Sequence, residues 1–178
     1  AHTLVASWNA NKYVVTFDAN EGIVTPTTKE VTYDSTYGNL PAPTREGYTF
    51  AGWYLNGVKV EEVTQVQTAD AHTLVADWIA NTYKIILDKN SGEGQDQVIQ
   101  TAYDQNTVLP REPYTRNGYT FKGWSTEQDN TVDYLDGANV TNISTKNDVT
   151  LYAVWEVNKY TVKFDTNGGN EISDFIFT

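Results

Sequence analysis

The chain has no cysteine. That excludes a disulfide framework, a thiolate metal site and a cysteine nucleophile, although it does not fix the compartment. Methionine is absent too, even at position 1, which agrees with a segment cut from a larger precursor. No apolar run approaches the roughly 20 residues of a membrane-spanning helix, so no membrane insertion is expected. No signal peptide is present, and any targeting information is expected outside the segment. Basic residues are scarce: 12 Lys and Arg stand against 23 Asp and Glu, a formal charge of −11 spread evenly along the chain. With no basic stripe to neutralise phosphates, nucleic acid is not an expected partner.

What is present is repetition. Ala71-His72-Thr73-Leu74-Val75-Ala76-Asp77-Trp78 restates Ala1-His2-Thr3-Leu4-Val5-Ala6-Ser7-Trp8 with one change, and Thr150-Leu151-Tyr152-Ala153-Val154-Trp155 restates its core. A unit returning at nearly fixed spacing is a structural module, and its recurring residues are first its own scaffold. The organisation expected is 1–8 as the last strand of a preceding repeat, 9–78 and 79–155 as complete repeats, and 156–178 as the first hairpin of a truncated one.

Each module opens on a strand: Tyr13, Val15 and Phe17 alternate with polar positions, as do Tyr83, Ile85 and Leu87, and Tyr160, Val162 and Phe164. Each is closed by a turn of the form Asp-x-Asn followed by glycine, at Asp18 to Gly22, Asp88 to Gly92 and Asp165 to Gly169. A second strand comes after it, near 29–34 and 98–104. A proline-punctuated stretch is next, with room for little more than a short helical turn. Gly47-Tyr48-Thr49-Phe50-Ala51-Gly52-Trp53 then matches Gly118-Tyr119-Thr120-Phe121-Lys122-Gly123-Trp124. Strict alternation puts Tyr48 and Phe50 opposite Trp53, and the inner glycine marks a bulge or a close neighbour. Residues 54–71 and 125–148 differ most and read as surface loops, the second with a short helix near 137–140.

The order Tyr-x-Val-x-Phe-Asp-x-Asn, then Pro43 to Tyr54, then Thr-Leu-x-Ala-x-Trp resembles the Listeria–Bacteroides repeat, the module type that includes the B repeat of internalin B. The resemblance covers nearly the whole chain. It implies an α+β, strand-dominated fold of tandem β-grasp-like repeats with little helix, found on bacterial secreted and wall-anchored proteins of the adhesin and invasion class. The family brings no catalytic residues, and none is carried over. The second module departs at Pro113-Tyr114-Thr115-Arg116-Asn117, which is two residues longer than the first.

Residues able to carry chemistry are few. His2 and His72 are one position in two modules, and the third copy is Val149, which argues against an essential general base. The pair Glu61-Glu62 lies in a variable loop where solvation is the default. Asp88, Asn90, Glu93 and Asp96 come closest to a calcium loop, but Glu93 stands where the sixth-position glycine belongs and Ile99 where the twelfth-position glutamate belongs. A turn stabilised by its own Asp and Asn side chains explains all three copies, with calcium left open.

No cofactor and no enzymatic activity are expected. Trp8, Trp53, Trp78, Trp124, Trp155, Tyr48, Phe50, Tyr119 and Phe121 recur at module spacing and are expected in the core. Tyr37, Tyr54, Tyr114 and Tyr134 do not, and form the candidate interaction surface. The expected function is that of structural and interaction repeats in the stalk of an extracellular, cell-surface or cell-wall protein, with other proteins as partners. The alternative is a ligand-binding module, for carbohydrate or a host protein, using loops 54–71 and 125–148. Strand exchange between chains through 1–8 and 156–178 is also expected, because each end leaves apolar residues and strand edges uncovered.

Overall fold

The structure, a computed structural model, describes residues 2–178. Ala1, the first residue of the expected 1–8 strand, lies outside the described residues. The chain divides into two units, residues 1–81 and 82–178.

The first unit holds strands Lys12–Asp18 (β1), Thr28–Thr32 (β2), Tyr48–Leu55 (β3), Val58–Val60 (β4) and His72–Ala80 (β5). They form one sheet in the order β2-β1-β5-β3-β4. β1 and β5 run parallel at its centre, with Phe17 opposite Leu74; the other neighbours are antiparallel. Strand alternation holds in β1: Val15 and Phe17 are buried while Val14 and Thr16 face out. They pack with Leu74, Ala76, Trp53, Val31, Val60 and Val66 into a single core.

The second unit repeats the plan with Thr82–Asp88 (β6), Gln97–Ala102 (β7), Thr107–Val108 (β8), Tyr119–Ser125 (β9), Tyr134–Leu135 (β10), Asn139–Val140 (β11) and Val149–Val157 (β12). Its sheet order, β7-β6-β12-β9-β10, is the same permutation, with β12 parallel to β6. Tyr83, Ile85, Leu87, Leu109, Trp124 and Leu151 form its core. Both units are tandem β repeats, and no helix occurs among the described residues. The short helix expected at 137–140 is instead β11, paired antiparallel with β8 through Asn139–Val108 and Val140–Thr107. Gly137 takes a φ of 69° before it, which breaks a helical run and aims the chain into an extended pairing.

Strict alternation fails at one place, and the failure organises the core. Phe50 lies opposite Trp78 and Gly52 opposite Asp77, so Ala51 is an extra residue, a β-bulge. Gly52 sits at φ 147° there, and Gly123 at φ 145° in the matching bulge. An extra residue inverts the faces beyond it. Trp53 therefore joins Phe50 on the core side, centroids 5.5 Å apart, rather than opposing it, and Trp124 joins Phe121 at 5.2 Å.

The ends differ from the expected pattern. Residues 2–11 carry no strand, and Leu4 and Trp8 are almost fully exposed. A strand exists through its ladder, and this segment has no ladder partner among the described residues. Trp8 is therefore not a core residue here, unlike its counterpart Trp78. At the other end Tyr160–Val162 (β13) pairs antiparallel with Phe175–Phe177 (β14), a hairpin with Phe164, Ile172 and Phe175 exposed.

Candidate functional site

The Asp-x-Asn turns are the most repeated chemistry in the chain, and their side-chain oxygens and amides are engaged by the backbone. Asp18 Oδ1 accepts from the N–H of Asn20 at 2.9 Å, and Asp88 Oδ1 from the N–H of Asn90 at 2.7 Å. Asn20 and Asn90 take φ of 46° and 43°, the left-handed region Asn tolerates best after Gly. Their side-chain amides then reach across to the last strand, donating to the carbonyls of Ala76 (3.1 Å) and Ala153 (2.9 Å).

The last strand answers with its tryptophan. The indole N–H of Trp78 donates to Ala19 O, and that of Trp155 to Lys89 O at 3.1 Å. The glycine of each turn is where that ring lies: a Cβ on Gly22 would come 2.7 Å from Trp78, and one on Gly92 2.6 Å from Trp155. Asp, Asn, Gly and the distant Trp are thus one clamp joining the ends of a repeat. In the C-terminal hairpin the Asp165–Asn167 turn forms, at 2.9 Å.

The recurring aromatics fall in two groups. Trp53 and Trp124 are fully interior, and Trp155 is nearly so. Trp78, Phe50, Tyr119 and Phe121 are half-buried and packed along the edge of the core, while Tyr48 is half-buried under the Arg45 guanidinium. Trp53 donates to Pro41 O at 2.8 Å, whereas the buried indole N–H of Trp124 has no partner among the described residues. Tyr114, from the stretch after Pro110 that is two residues longer than in the first repeat, packs on the Trp124 ring edge to face at 5.8 Å.

Two of the four tyrosines assigned to a candidate surface are interior. Tyr114 is 3% exposed, donates to Leu87 O at 2.7 Å and accepts from the N–H of Gln97 at 3.1 Å. Burial, foremost, raises its hydroxyl above the ordinary tyrosine value. Tyr37 is 2% exposed; burial raises it as well. Its hydroxyl lies 2.7 Å from Nε2 of His72, whose Nδ1 lies 2.9 Å from Asp70 O. A carbonyl cannot donate, so Nδ1 carries a proton. Tyr37 meets His72 and Tyr114 meets Trp124, each edge to face in the interior, so non-recurrence is a poor sign of exposure. Tyr54 and Tyr134 are half-buried on β3 and β10.

The segments read as variable loops contain structure. Asn56 (φ 49°) and Gly57 (φ 81°) make a two-residue turn between β3 and β4, a hairpin that the Asn-Gly pair signals in sequence. Val60 and Val66 from the same segment are buried. In the second repeat Asp133 closes the 126–133 loop, accepting from the N–H of Thr126 at 2.7 Å and its hydroxyl at 2.8 Å. Those bonds, the backbone one first, hold its carboxyl below the ordinary aspartate range.

An arginine opens the same tight turn in each repeat, Arg45 to Tyr48 and Arg116 to Tyr119. The Arg45 guanidinium carbon lies 3.9 Å from the Tyr48 ring centroid, and that of Arg116 3.8 Å from Tyr119. Arg45 also forms an ion pair with Glu21. Arg116 has none among the described residues. It lines a cleft of about 300 Å³ with Tyr119, Thr120, Phe121 and Trp155, with Glu112 and Thr115 also on its wall.

The Listeria-Bacteroides repeat domain matches this chain twice, over residues 13–77 and 83–154. A Listeria monocytogenes protein, internalin H, is 33% identical over 127 residues, covering 70% of this chain and 20% of its own length. A protein of Evansella cellulosilytica that carries the name Gly-rich membrane protein is 30% identical over 180 residues, 97% of this chain and 19% of the relative. A second from that organism, with the name membrane protein, is 29% identical over 167 residues, 93% of this chain and 24% of the relative. The chain thus spans about a quarter or less of the length of these relatives. Two matches in register with two sheets of one strand order settle its kinship: the chain belongs to the Listeria-Bacteroides repeat family.

Proposed function

We propose that these repeats are non-enzymatic stalk modules of a bacterial cell-surface protein of the adhesin class, extracellular and presented at or in the wall. The observation that carries this reading is the connector at the end of each repeat. β5 ends at Ala80 and β6 begins at Thr82, so one residue, Asn81, connects them. Its N–H donates to Gly47 O at 2.9 Å, and its side-chain oxygen accepts from the Thr49 hydroxyl at 2.6 Å. Asn158 is held in the same way, by Gly118 O at 2.8 Å and the Thr120 hydroxyl at 2.7 Å. A connector this short, clipped to its own repeat at both its backbone and its side chain, leaves no free stretch of the Gly/Ser kind between repeats. Repeats strung without a flexible linker suit a spacer.

Kinship with internalin H and with proteins named as membrane proteins supports a surface location. The mixed sheet with parallel central strands supports the β-grasp-like reading. No described helix is long and apolar enough to cross a membrane. Small-angle scattering on the chain and on a double variant, Asn81→Gly with Thr49→Ala, tests the spacer role. A narrow distribution of end-to-end distances that broadens in the variant is expected. A wild-type distribution as broad as that of a Gly/Ser-linked control overturns the reading.

A second reading keeps a ligand-binding role for loops 54–71 and 125–148. Val58, Val63 and Leu135 favour it, since they are large, apolar and exposed within those loops. Exchanging the loops between repeats and measuring glycan-array and host-protein binding separates the two.

A further inference from the structure

We propose that the Arg116–Tyr119 cleft of the second repeat is a binding site for a carboxylate side chain, a glutamate or aspartate presented by a protein partner. The first repeat already shows such a pair, formed within one chain. Arg45, stacked on Tyr48, is paired with the carboxylate of Glu21 and also donates to Asn20 O. The backbone that delivers Glu21 is reproduced almost angle for angle in the second repeat. Asn20 and Glu21 have φ of 46° and 69°; Asn90 and Ser91 have 43° and 69°.

Both turns are anchored beside their arginine by the same ladder. Ile23 N–H donates to Thr44 O at 2.8 Å, and Glu93 N–H to Thr115 O at 2.6 Å. Both arginines leave the same turn, with the N–H of Tyr48 or Tyr119 donating back to the arginine carbonyl at 3.2 or 3.0 Å. At the position of Glu21 the second repeat carries Ser91, so the second arginine keeps its stack and loses that anion.

The second repeat is left with a half-buried guanidinium, held flat by Tyr119, its donor edge free of any ion pair among the described residues. Glu93, bridged to Thr115, and Glu112, on the cleft wall, are the nearby acids, and neither pairs with it among the described residues. A planar guanidinium fixed on an aromatic face is preorganised for a carboxylate, because little rotamer freedom is lost on binding. The flanking Phe121 and Trp155 rings, 5.5 Å apart, offer apolar contact to the methylenes of a glutamate. This site lies outside loops 54–71 and 125–148 and does not depend on the spacer reading.

The test is an NMR titration of the whole 178-residue chain with a capped glutamate, N-acetyl-glutamate methylamide, following the Arg116 Nε–H and Tyr119 ring resonances. Capped glutamine and glucuronate serve as the comparison probes. Saturable shifts with capped glutamate are expected, with affinity falling about tenfold or more in Arg116→Gln, as loss of a charge-assisted pair implies. Ser91→Glu is expected to remove binding by supplying an internal carboxylate, and Glu21→Ser to open an equivalent site at Arg45. Equal shifts with capped glutamine, a response to glucuronate alone, or undiminished binding in Ser91→Glu would each overturn the proposal. Since Ser91→Glu installs a pair the first repeat already tolerates, the test stands even if Arg116→Gln folds poorly.

Discussion

The indole N–H of Trp78 donates to the carbonyl oxygen of Ala19 at 3.0 Å, across 59 positions of sequence. That bond ties the strand closing a repeat to the turn after the strand that opens it, and Trp155 makes the same tie to Lys89. Gly22 is the floor of the clamp: a Cβ there would come 2.7 Å from both the Trp78 ring and Thr44 O. Gly22→Ala is expected to destabilise the first repeat by about 1–3 kcal/mol, the usual cost of overpacking. Chemical denaturation followed by repeat-specific NMR peaks checks it. An unchanged midpoint would show that the ring does not rest on that glycine.

Trp53 and Trp124 are the same core residue with different polar fates. Trp53 donates to Pro41 O, while the N–H of Trp124 has no partner among the described residues. Substitution by Phe removes similar packing in both, but in the first repeat it also orphans a carbonyl, and in the second it removes an unsatisfied donor. Trp53→Phe is therefore expected to cost about 1 kcal/mol more than Trp124→Phe. Urea denaturation of the two variants, each read against the same wild-type chain, gives the difference.

How far the sequence revealed this architecture depended on whether a feature was local. Tyr13, Val15 and Phe17 announced β1 by alternation alone, and the Trp8, Trp78 and Trp155 spacing announced the repeat. The bulge at Ala51 was only half announced. Gly52 marked it, but which face Trp53 takes depends on an extra residue that shows only when the partner strand is laid alongside. Tyr37 and Tyr114 were misplaced for a related reason. Each packs on one ring of its own repeat, His72 or Trp124, and periodicity cannot report a contact made only once. The arginine cleft was legible in principle, because Glu21 and Ser91 occupy one position of the repeat, yet nothing in the sequence placed that position beside Arg45 or Arg116.

Buried Tyr114 gives the second repeat a dependence on alkaline pH. Its folded-state value is raised, chiefly by burial, so the neutral hydroxyl is the form the fold favours. This contribution is therefore complete below the unfolded tyrosine value of about 10 and is lost as pH rises through the higher folded one. Tyr114→Phe is expected to lower stability by about 1–3 kcal/mol at neutral pH, because Leu87 O and Gln97 N–H lose their buried partner. It is also expected to flatten the alkaline limb of melting temperature against pH. A variant whose alkaline limb stays as steep as wild type would assign the loss to another group.

Asp133 gives its own loop a dependence on acidic pH. Its carboxyl is held low by the Thr126 backbone N–H, then by the Thr126 hydroxyl, and it is solvent-exposed. A depressed value means the loop's contribution is present above the unfolded aspartate value of about 3.9 and fades as pH falls through the lower folded one. Amide exchange at Thr126 should accordingly speed up, relative to the intrinsic rate, only below that range. Asp133→Asn should show the faster exchange already at neutral pH, with the core amides of Ile85 and Leu151 unaffected. The effect is expected to stay in the loop because, among the described residues, the carboxylate's hydrogen-bond partners are Ser125 and Thr126. If core protection fell together with that of Thr126, Asp133 would be supporting the sheet itself rather than the turn that leaves it.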